Sequence, residues 1–289
     1  MPRPSVLLRR NPQLNKKDFG HVFVVAGSPT MLGASALCSL AAMRCGAGLV
    51  TAAVPKSLNL TLQKKISPVV MTLPLAQTAQ GVFSVKAFDT LKKSFSKFNS
   101  VAIGPGLGLN SSTVKFVYKM VEHYPGPMVV DADALNALAQ NPRILLKAKG
   151  QRILTPHAGE MARLTKKTIA QIEANRKKSA LDFARQYNCS LVLKGSRTVI
   201  ASPYGKGTVN TTGNVGMATA GSGDVLSGVI AAFLAQGIEP FEAARLGVYY
   251  HGKAGDLAAI QKGKVSLIAT DIIDCLTSVF IQDKEIHRN

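Results

Sequence analysis

The clearest chemical feature of the chain is a glycine-rich turn within residues 214–228 that leads into an apolar, helix-like stretch. One carboxylate, Asp224, follows Gly221, Ser222 and Gly223 at the junction. Free backbone N–H groups at a helix start attract anions, and glycines let a phosphate approach them. A carboxylate beside such an anion hole can accept a proton from a hydroxyl that attacks a phosphoryl group. We therefore predict phosphoryl transfer here; the alternative is an Asp that only adds favourable charge to the helix start.

Two other glycine-rich segments, residues 27–34 and 104–108, each follow a predicted strand. The first stands where a phosphate loop would stand, although it matches neither the dinucleotide-binding pattern nor the P-loop. The second has three glycines in five residues, so its backbone can lie flat against a ligand. Each segment taken alone is either a ligand-binding loop or a structural turn.

Polar residues follow three more predicted strands. Asp131 and Asp133 can together hold a hydrated magnesium ion, or Asp133 can cap the next helix while Asp131 bonds loop amides. His157 follows a proline in a strand-to-helix loop, where it either contacts a ligand or is structural. The negative charge of Glu160 is expected to stabilise the start of the helix that follows. Lys194, at another strand end, either reaches a phosphate or belongs to an ordinary tight turn.

Short β-branched segments alternate with helix-like segments along the chain. The predicted strands are residues 21–26, 49–54, 69–73, 100–103, 128–130, 152–154, 191–194 and 198–201. The predicted helices are residues 32–45, 87–93, 112–121, 134–139, 169–187, 224–236, 241–259 and 269–280. This alternation predicts an α/β fold with a doubly wound, mostly parallel sheet flanked by helices, which binds ligands at the carboxyl ends of its strands. Residues 191–209 alternatively form a hairpin that turns at Pro203, Tyr204 and Gly205.

The composition limits the function. The 289 residues are 46% hydrophobic and show no linker or internal repeat, which favours a single domain over residues 1–289. The most apolar segment, residues 33–54, is interrupted by charge and glycine, so no membrane span is predicted. The net charge of +19 suits anionic ligands, but no nucleic-acid-binding motif accompanies it, and nucleic acid is not the expected partner. Four cysteines without metal-ligand spacing predict reduced thiols in a cytoplasmic protein.

Together, a series of motifs in order resembles the ADP- or ATP-dependent (S)-NAD(P)H-hydrate dehydratases, a family of ribokinase-like fold. The motifs are residues 24–28, 31–34, 44–51, 103–108, 131–136, 154–157 and 214–226. The match runs from about residue 17 to residue 280, which implies a single dehydratase domain. It leaves no room for the N-terminal epimerase domain that some bacterial members carry. Epimerisation of the R hydrate is therefore expected from a separate protein or without an enzyme.

The resemblance implies a repair reaction on hydrated NADH or NADPH. A nucleotide, ADP in bacterial members generally and ATP in eukaryotic ones, phosphorylates the C6 hydroxyl of the hydrated nicotinamide ring, and Mg²⁺ bridges the nucleotide phosphates. Phosphate then leaves more readily than hydroxide, so this hydro-lyase re-forms the ring double bond and, with ADP, releases AMP and phosphate. A homo-oligomer, commonly a tetramer, is implied as well.

Two other functions are weighed against this one. The first is a kinase of the same fold that phosphorylates a vitamin-precursor alcohol and releases a stable phosphorylated product. The second is a catalytically silent nucleotide- or nucleic-acid-binding protein that uses its basic surface. The intact acid Asp224 and the glycines before it argue against a silent protein.

The resemblance also assigns roles to single residues. Asp224 is implied as the base that accepts the C6 hydroxyl proton, and its reference pKa of about 3.9 predicts an ionised carboxylate near pH 7. The N–H groups around Gly221, Ser222 and Gly223 are implied as the anion hole. The implied substrate contacts are Ala34, Gly106, His157 and Asp224. The implied nucleotide contacts are Lys194, Gly195, Ser196, Arg197, Thr198 and Gly223.

The chain departs from the family pattern at three positions. Ser222 stands where members often have threonine, and the hydroxyl is retained. Val215 and Ala158 stand where many members have proline. The loop that contains Val215 is therefore expected to be less stiff, because proline restricts the backbone.

Overall fold

The computed structural model describes the backbone of residues 13–286 and the side chains of residues 13–282. Its strands are β1 (His21–Val25), β2 (Leu49–Pro55), β3 (Met71–Leu75), β4 (Ser100–Ile103), β5 (Met128–Val130), β6 (Arg152–Leu154), β7 (Ser190–Leu193), β8 (Val199–Ala201) and β9 (Gly207–Val209). Its α-helices are α1 (Leu32–Arg44), α2 (Asn59–Lys65), α3 (Ala87–Lys92), α4 (Ser111–His123), α5 (Ala132–Gln140), α6 (Ala158–Thr165), α7 (Ile169–Ala174), α8 (Arg176–Gln186), α9 (Ser222–Ala235), α10 (Pro240–Lys262) and α11 (Ala269–Ile286).

The strands form one nine-stranded sheet in the order β3-β2-β1-β4-β5-β6-β7-β8-β9. Strands β1 to β7 run parallel to one another, whereas β8 and β9 are antiparallel additions at one edge. The helices lie on both faces, as a mostly parallel sheet requires. The predicted α/β fold with a doubly wound, mostly parallel sheet is therefore confirmed.

Strand β1 shows how the two helical layers share the sheet. Successive side chains of a strand point to opposite faces. Val22 and Val24 pack into the core beneath α1, α9, α10 and α11. Phe23 and Val25 pack into a second core, which holds α3 to α8. Because both faces are covered, β1 is apolar at nearly every position, and this explains why its sequence shows no alternation.

Helix α9 is the central element of the first layer. Its residues are buried from Val225 to Ala235. It lies so close to α1 that a Cβ atom added at Gly228 would stand 2.1 Å from the Cys38 carbonyl oxygen. This glycine therefore lets the two helices pack backbone to backbone. The contact holds the start of α9 at the edge formed by the carboxyl ends of the parallel strands.

Most predicted elements are present, with a few corrections. The helix expected over residues 169–187 is two helices, because Asn175 between them has a non-helical backbone (φ −144°, ψ 53°). Helices α2 and α6 were not predicted, since each is short. The hairpin alternative is correct for β8 and β9, whose connection bonds Ser202 N–H to the Lys206 carbonyl at 2.8 Å. Strand β8 also pairs antiparallel with β7.

Two expectations from composition bear on the described residues. No helix within residues 13–286 is long and apolar enough to cross a membrane. The thiols of Cys38, Cys45, Cys189 and Cys275 are buried and unbridged. Burial raises the pKa of Cys38 and of Cys45, so both thiols stay protonated at neutral pH.

Substitution Gly228→Ala should destabilise the fold, because the new methyl group collides with the backbone of α1. We expect the free energy of unfolding to fall by about 1–3 kcal/mol, the usual cost of overpacking. Denaturant unfolding followed by circular dichroism measures this loss. The matched control is Gly33→Ala in α1, where an added Cβ would meet nothing within 4 Å. Equal stability of the two variants would contradict the close helix contact.

Candidate active site

The anion hole predicted from the sequence is the first turn of α9. Gly221 precedes the helix with a φ of 85°, a left-handed conformation that favours glycine. The first helical hydrogen bond runs from the Val225 N–H to the Gly221 carbonyl at 3.1 Å. The N–H groups of Gly223 and Asp224 lie before it and are available to an anion. The Ser222 N–H instead points to the Thr219 carbonyl at 3.4 Å.

Asp224 lies in this first turn, but its protonation differs from the prediction. Burial raises the pKa of its carboxyl to about 7, and the negative charges of Asp131 and Asp133 add to the increase, while Lys194 opposes it. The full ionisation expected at pH 7 from the reference pKa is therefore not reached. A substantial fraction of Asp224 is protonated at neutral pH, because burial removes the water that would stabilise the charged carboxylate.

An ion pair lies beside the same turn. The Lys194 ammonium, which follows β7, donates to Asp131 Oδ1 at 2.7 Å. Asp131 follows β5, and its other oxygen accepts the Ser227 hydroxyl of α9 at 2.8 Å. A Cβ atom added at Gly223 would stand 3.3 Å from Lys194 Nζ. Lys194 and Gly223, two of the predicted nucleotide contacts, thus face each other.

The two acids after β5 do not have the capping and loop-amide roles that the sequence offered. Asp131 occupies the N-cap position of α5 but makes no side-chain capping bond, because its oxygens bind Lys194 and Ser227. Asp133 accepts the Gly108 N–H at 2.8 Å, so it ties α5 to the loop after β4. The prediction that Asp133 caps this helix is wrong, because the helix has already begun at Ala132.

His157 begins α6 with the help of Glu160. Its Nδ1 atom accepts the N–H groups of Gly159 and Glu160 at 3.0 and 3.3 Å, and Glu160 accepts the His157 N–H at 2.8 Å. This reciprocal capping box confirms the role predicted for Glu160. Burial, with the charges of Lys194 and Arg163, lowers the pKa of His157, so the ring is neutral at pH 7. The side chain remains 54% exposed and can meet a ligand.

The loops after β1 and β4 bring two predicted substrate contacts together. The Gly27 N–H donates to the Pro105 carbonyl at 2.8 Å. Gly106 has a φ of 63°, and a Cβ atom added there would stand 3.2 Å from the Ala34 Cβ. Any larger residue at Gly106 would therefore press on α1. The two glycine-rich segments therefore meet and form one wall rather than two separate turns.

The turn between β7 and β8, residues 194–198, is exposed and shaped by unusual backbone angles. Gly195 has a φ of 145° and Arg197 a φ of 58°. The Thr198 hydroxyl donates to the Gly195 carbonyl at 3.0 Å. Arg176, at the start of α8, donates to the Leu193 and Lys194 carbonyls at 2.8 and 3.1 Å. These bonds fix the backbone of the turn, and Ser196 is exposed at its tip.

Three residues that support the site were missed by sequence reasoning: Ser227, Arg176 and His251. Ser227 lies three residues after Asp224, a spacing that places both on one helix face and could have revealed it. His251 of α10 places Nε2 3.4 Å from the Ser222 hydroxyl. Burial lowers the pKa of His251 to about 4, so it contacts the helix start as a neutral ring. No sequence spacing connects Arg176 or His251 to their partners.

The residues do not fit a magnesium site formed by the protein alone. No group of three or more His, Cys, Asp or Glu side chains within the described residues could hold a metal ion. The Asp131 carboxylate is already bound on both oxygens, and Asp133 faces Gly108. Mg²⁺ is often held largely by substrate phosphates and water.

Asp224→Asn should stabilise the ligand-free protein above neutral pH. The pKa of Asp224 is raised from 3.8 to about 7. A raised carboxyl pKa means that stability falls as pH rises between these two values and stays lower above them. We expect the melting temperature of Asp224→Asn to exceed that of the wild type by about 2 °C or more at pH 8, with a smaller gap at pH 5.

Asp182→Asn is the control for this measurement, because Asp182 is an exposed carboxylate bonded to Lys178 at 2.7 Å. Its melting temperature should show no gain at pH 8. A gain for Asp224→Asn that is the same at both pH values would contradict a titrating, buried Asp224.

Comparison with known proteins shows similarity over most of the chain. A family model described as NAD(P)H-hydrate dehydratase matches residues 22–278. The bifunctional NAD(P)H-hydrate repair enzyme Nnr of Moorella thermoacetica is 47% identical over 275 residues, which cover 95% of this chain and 52% of that protein. The ADP-dependent (S)-NAD(P)H-hydrate dehydratase of Neisseria meningitidis serogroup B is 38% identical, over 93% of this chain and 88% of that protein. The chain spans about half the length of the first curated relatives it matches.

Solved structures of similar proteins also match the chain over most of its length. The ADP/ATP-dependent NAD(P)H-hydrate dehydratase of Bacillus subtilis, co-crystallized with ATP and Mg²⁺, superposes with a TM-score of 0.81 at 30% identity, over 95% of this chain and 94% of that chain. A ribokinase-like superfamily protein of Enterococcus faecalis gives a TM-score of 0.80 at 26% identity, over 98% and 95%. A hydroxyethylthiazole kinase of Pyrococcus horikoshii, at 16% identity and a TM-score of 0.61 over 91% and 89%, shares the fold alone. With nearly the whole described sheet inside the family match, the chain belongs to the NAD(P)H-hydrate dehydratase family.

Proposed function

We propose that this protein repairs hydrated NADH and NADPH by a nucleotide-dependent dehydration, with ADP as the preferred nucleotide. The observation that carries the proposal is the juxtaposition of a carboxylate, a helix start and a cation. Asp224 lies in the first turn of α9, and Lys194 Nζ stands 3.3 Å from a Cβ position at Gly223 in that turn. A base, free N–H donors and a positive charge are what phosphoryl transfer to a hydroxyl needs.

The reaction proceeds in two balanced steps. The C6 hydroxyl oxygen forms a bond to the terminal phosphorus of ADP, the bond from that phosphorus to the bridging oxygen breaks, and AMP leaves. Asp224 accepts the hydroxyl proton. The lone pair of the ring nitrogen then expels phosphate from C6, and C5 loses a proton while the departing phosphate takes one up, which restores the ring double bond. Asp224 releases its proton to solvent, so the sum converts hydrate and ADP into NAD(P)H, AMP, phosphate and one proton.

The individual binding roles belong to this proposal. Ala34, Gly106 and His157 would contact the hydrated cofactor, which is supported by the wall that Ala34 and Gly106 form and by the exposed ring of His157. Lys194 and Gly223 would contact the nucleotide phosphates. The rest of the exposed turn would also contact the nucleotide, through Gly195, Ser196, Arg197 and Thr198.

The kinase alternative has less support. The kinase with a related structure shares only 16% identity and therefore supports the fold without supporting a vitamin-precursor substrate.

Mg²⁺ would arrive with the nucleotide, where it would neutralise phosphate charge. A single dehydratase domain, a homotetramer, a separate epimerase and a cytoplasmic location stay predictions.

The decisive assay incubates the protein with pure (S)-NADH hydrate, Mg²⁺ and either ADP or ATP. Recovery of dihydronicotinamide absorbance, with one AMP formed per NADH when ADP is used, is the expected result. Faster recovery with ADP than with ATP would establish the nucleotide preference. No recovery with either nucleotide, or accumulation of a stable phosphorylated hydrate, would contradict dehydration.

Asp224→Asn should separate catalysis from binding. We expect turnover to fall by about 10²–10⁴-fold, the usual contribution of a general base. Calorimetry should show that ADP still binds, because the N–H groups and Lys194 remain in place. The control Asp182→Asn should match the wild type in both measurements. Undiminished turnover in Asp224→Asn would remove this residue from its proposed role.

A further inference from the structure

Asp131 stands out because it is buried, charged and fully bonded, yet has no role in the chemistry above. It is 1% exposed. Oδ1 accepts the Lys194 ammonium at 2.7 Å, and Oδ2 accepts the Ser227 hydroxyl at 2.8 Å. A buried carboxylate is costly unless such partners stabilise it. The fold therefore keeps a charged carboxylate at a buried position that would be strongly unfavourable without these two partners.

The two partners of Asp131 belong to the two elements that form the site. Lys194 is at the end of β7, and Ser227 lies on α9, one helical turn beyond Asp224. A Cβ atom added at Gly223 would stand 3.3 Å from Lys194 Nζ and 3.7 Å from Asp131 Oδ2. The ion pair thus lies directly beside the N–H groups at the start of α9.

The other acid near Lys194 is a poor substitute for Asp131. Glu160 Oε2 is 3.9 Å from the ammonium, too far for a hydrogen bond. The same oxygen already accepts the His157 N–H at 2.8 Å. Burial raises the pKa of Glu160 to about 7, so it is only partly charged at neutral pH. A lysine on a flexible four-carbon stem needs a fixed partner to hold one position.

We propose that Asp131 is a positioning residue for the proposed reaction: its carboxylate fixes the Lys194 ammonium against the first turn of α9, where nucleotide phosphate and Asp224 meet. This inference rests on the proposed function for the identity of the reaction. The positioning itself concerns nucleotide binding and the charge on Asp224, and both can be measured without the hydrate.

The charges around Asp224 make the role testable. Asp131 and Lys194 face it from the strand ends, and Asp133 faces it from α5. The thiol of Cys38 on α1 and the ring of His251 on α10 are neutral at pH 7, because burial raises the pKa of the first and lowers that of the second. Loss of the negative charge at Asp131 should lower the pKa of Asp224, and loss of the positive charge at Lys194 should raise it.

The experiment compares Asp131→Asn, Lys194→Gln and the double variant in the nucleotide-free protein. Carbon-13 NMR of labelled aspartate follows the Asp224 carboxyl, which is assigned by its disappearance in Asp224→Asn. We expect its midpoint to move down by about one pH unit in Asp131→Asn and up by about one in Lys194→Gln. Asp182→Asn, which changes an exposed carboxylate bonded to Lys178 at 2.7 Å, should leave the midpoint nearly unchanged.

ADP affinity, measured by calorimetry, gives the second readout. Each single variant should bind ADP about tenfold more weakly, the usual value of a bond to a charged group. The double variant should be no weaker than the weaker single variant, because the two residues act as one unit. Asp182→Asn is the surface control, expected to bind like the wild type.

Two results would overturn the proposal. One is ADP binding by Asp131→Asn that is unchanged or tighter, since removal of a negative charge alone would favour an anion. The other is an Asp224 midpoint that moves in the same direction, or not at all, in both single variants. If Asp131→Asn does not fold, Lys194→Gln alone decides, and a midpoint that fails to rise is then the contradicting outcome. A failed dehydration assay would leave both readouts interpretable.

Discussion

The buried ion pair between Lys194 and Asp131 is the interaction on which the site depends. It joins the ends of β5 and β7 at 2.7 Å and, through the Ser227 hydroxyl at 2.8 Å, ties both strands to α9. Removing one partner of a buried pair leaves an uncompensated charge, so neither residue can change alone without cost. The close packing of α9 on α1 at Gly228 acts with it, because it sets where the helix starts relative to the strand ends.

Burial also changes the acid in the first turn of α9. Asp224 is surrounded by protein and by two other aspartates, so its pKa is raised to about 7. A base with a pKa near the working pH accepts a proton better than an ordinary carboxylate does. Burial is the main cause of the increase, and the opposing charges of Asp131 and Lys194 adjust how much of Asp224 is ionised.

The architecture is an α/β fold that proteins of different activity share. The same fold occurs in a hydroxyethylthiazole kinase at 16% identity, so the fold by itself does not choose the reaction. What distinguishes the chain is the set of loops at the carboxyl ends of the strands, which the family model spans over residues 22–278. In the proposed reaction, the phosphate that Asp224 helps to add makes a poor leaving group into a good one.

The sequence by itself determined the α/β class, most strands and the glycine-rich start of α9, because hydrophobic periodicity and glycine-rich turns are local signals. It also singled out Asp131, Lys194 and Asp224 as separate features. Only the tertiary structure decided that Lys194 pairs with Asp131, which is 63 residues away along the chain. It also decided that Asp224 is partly protonated, since a pKa depends on burial and on charges brought near by folding. Contacts between residues far apart in the chain produce no periodic pattern in the sequence, so only the folded structure reveals them.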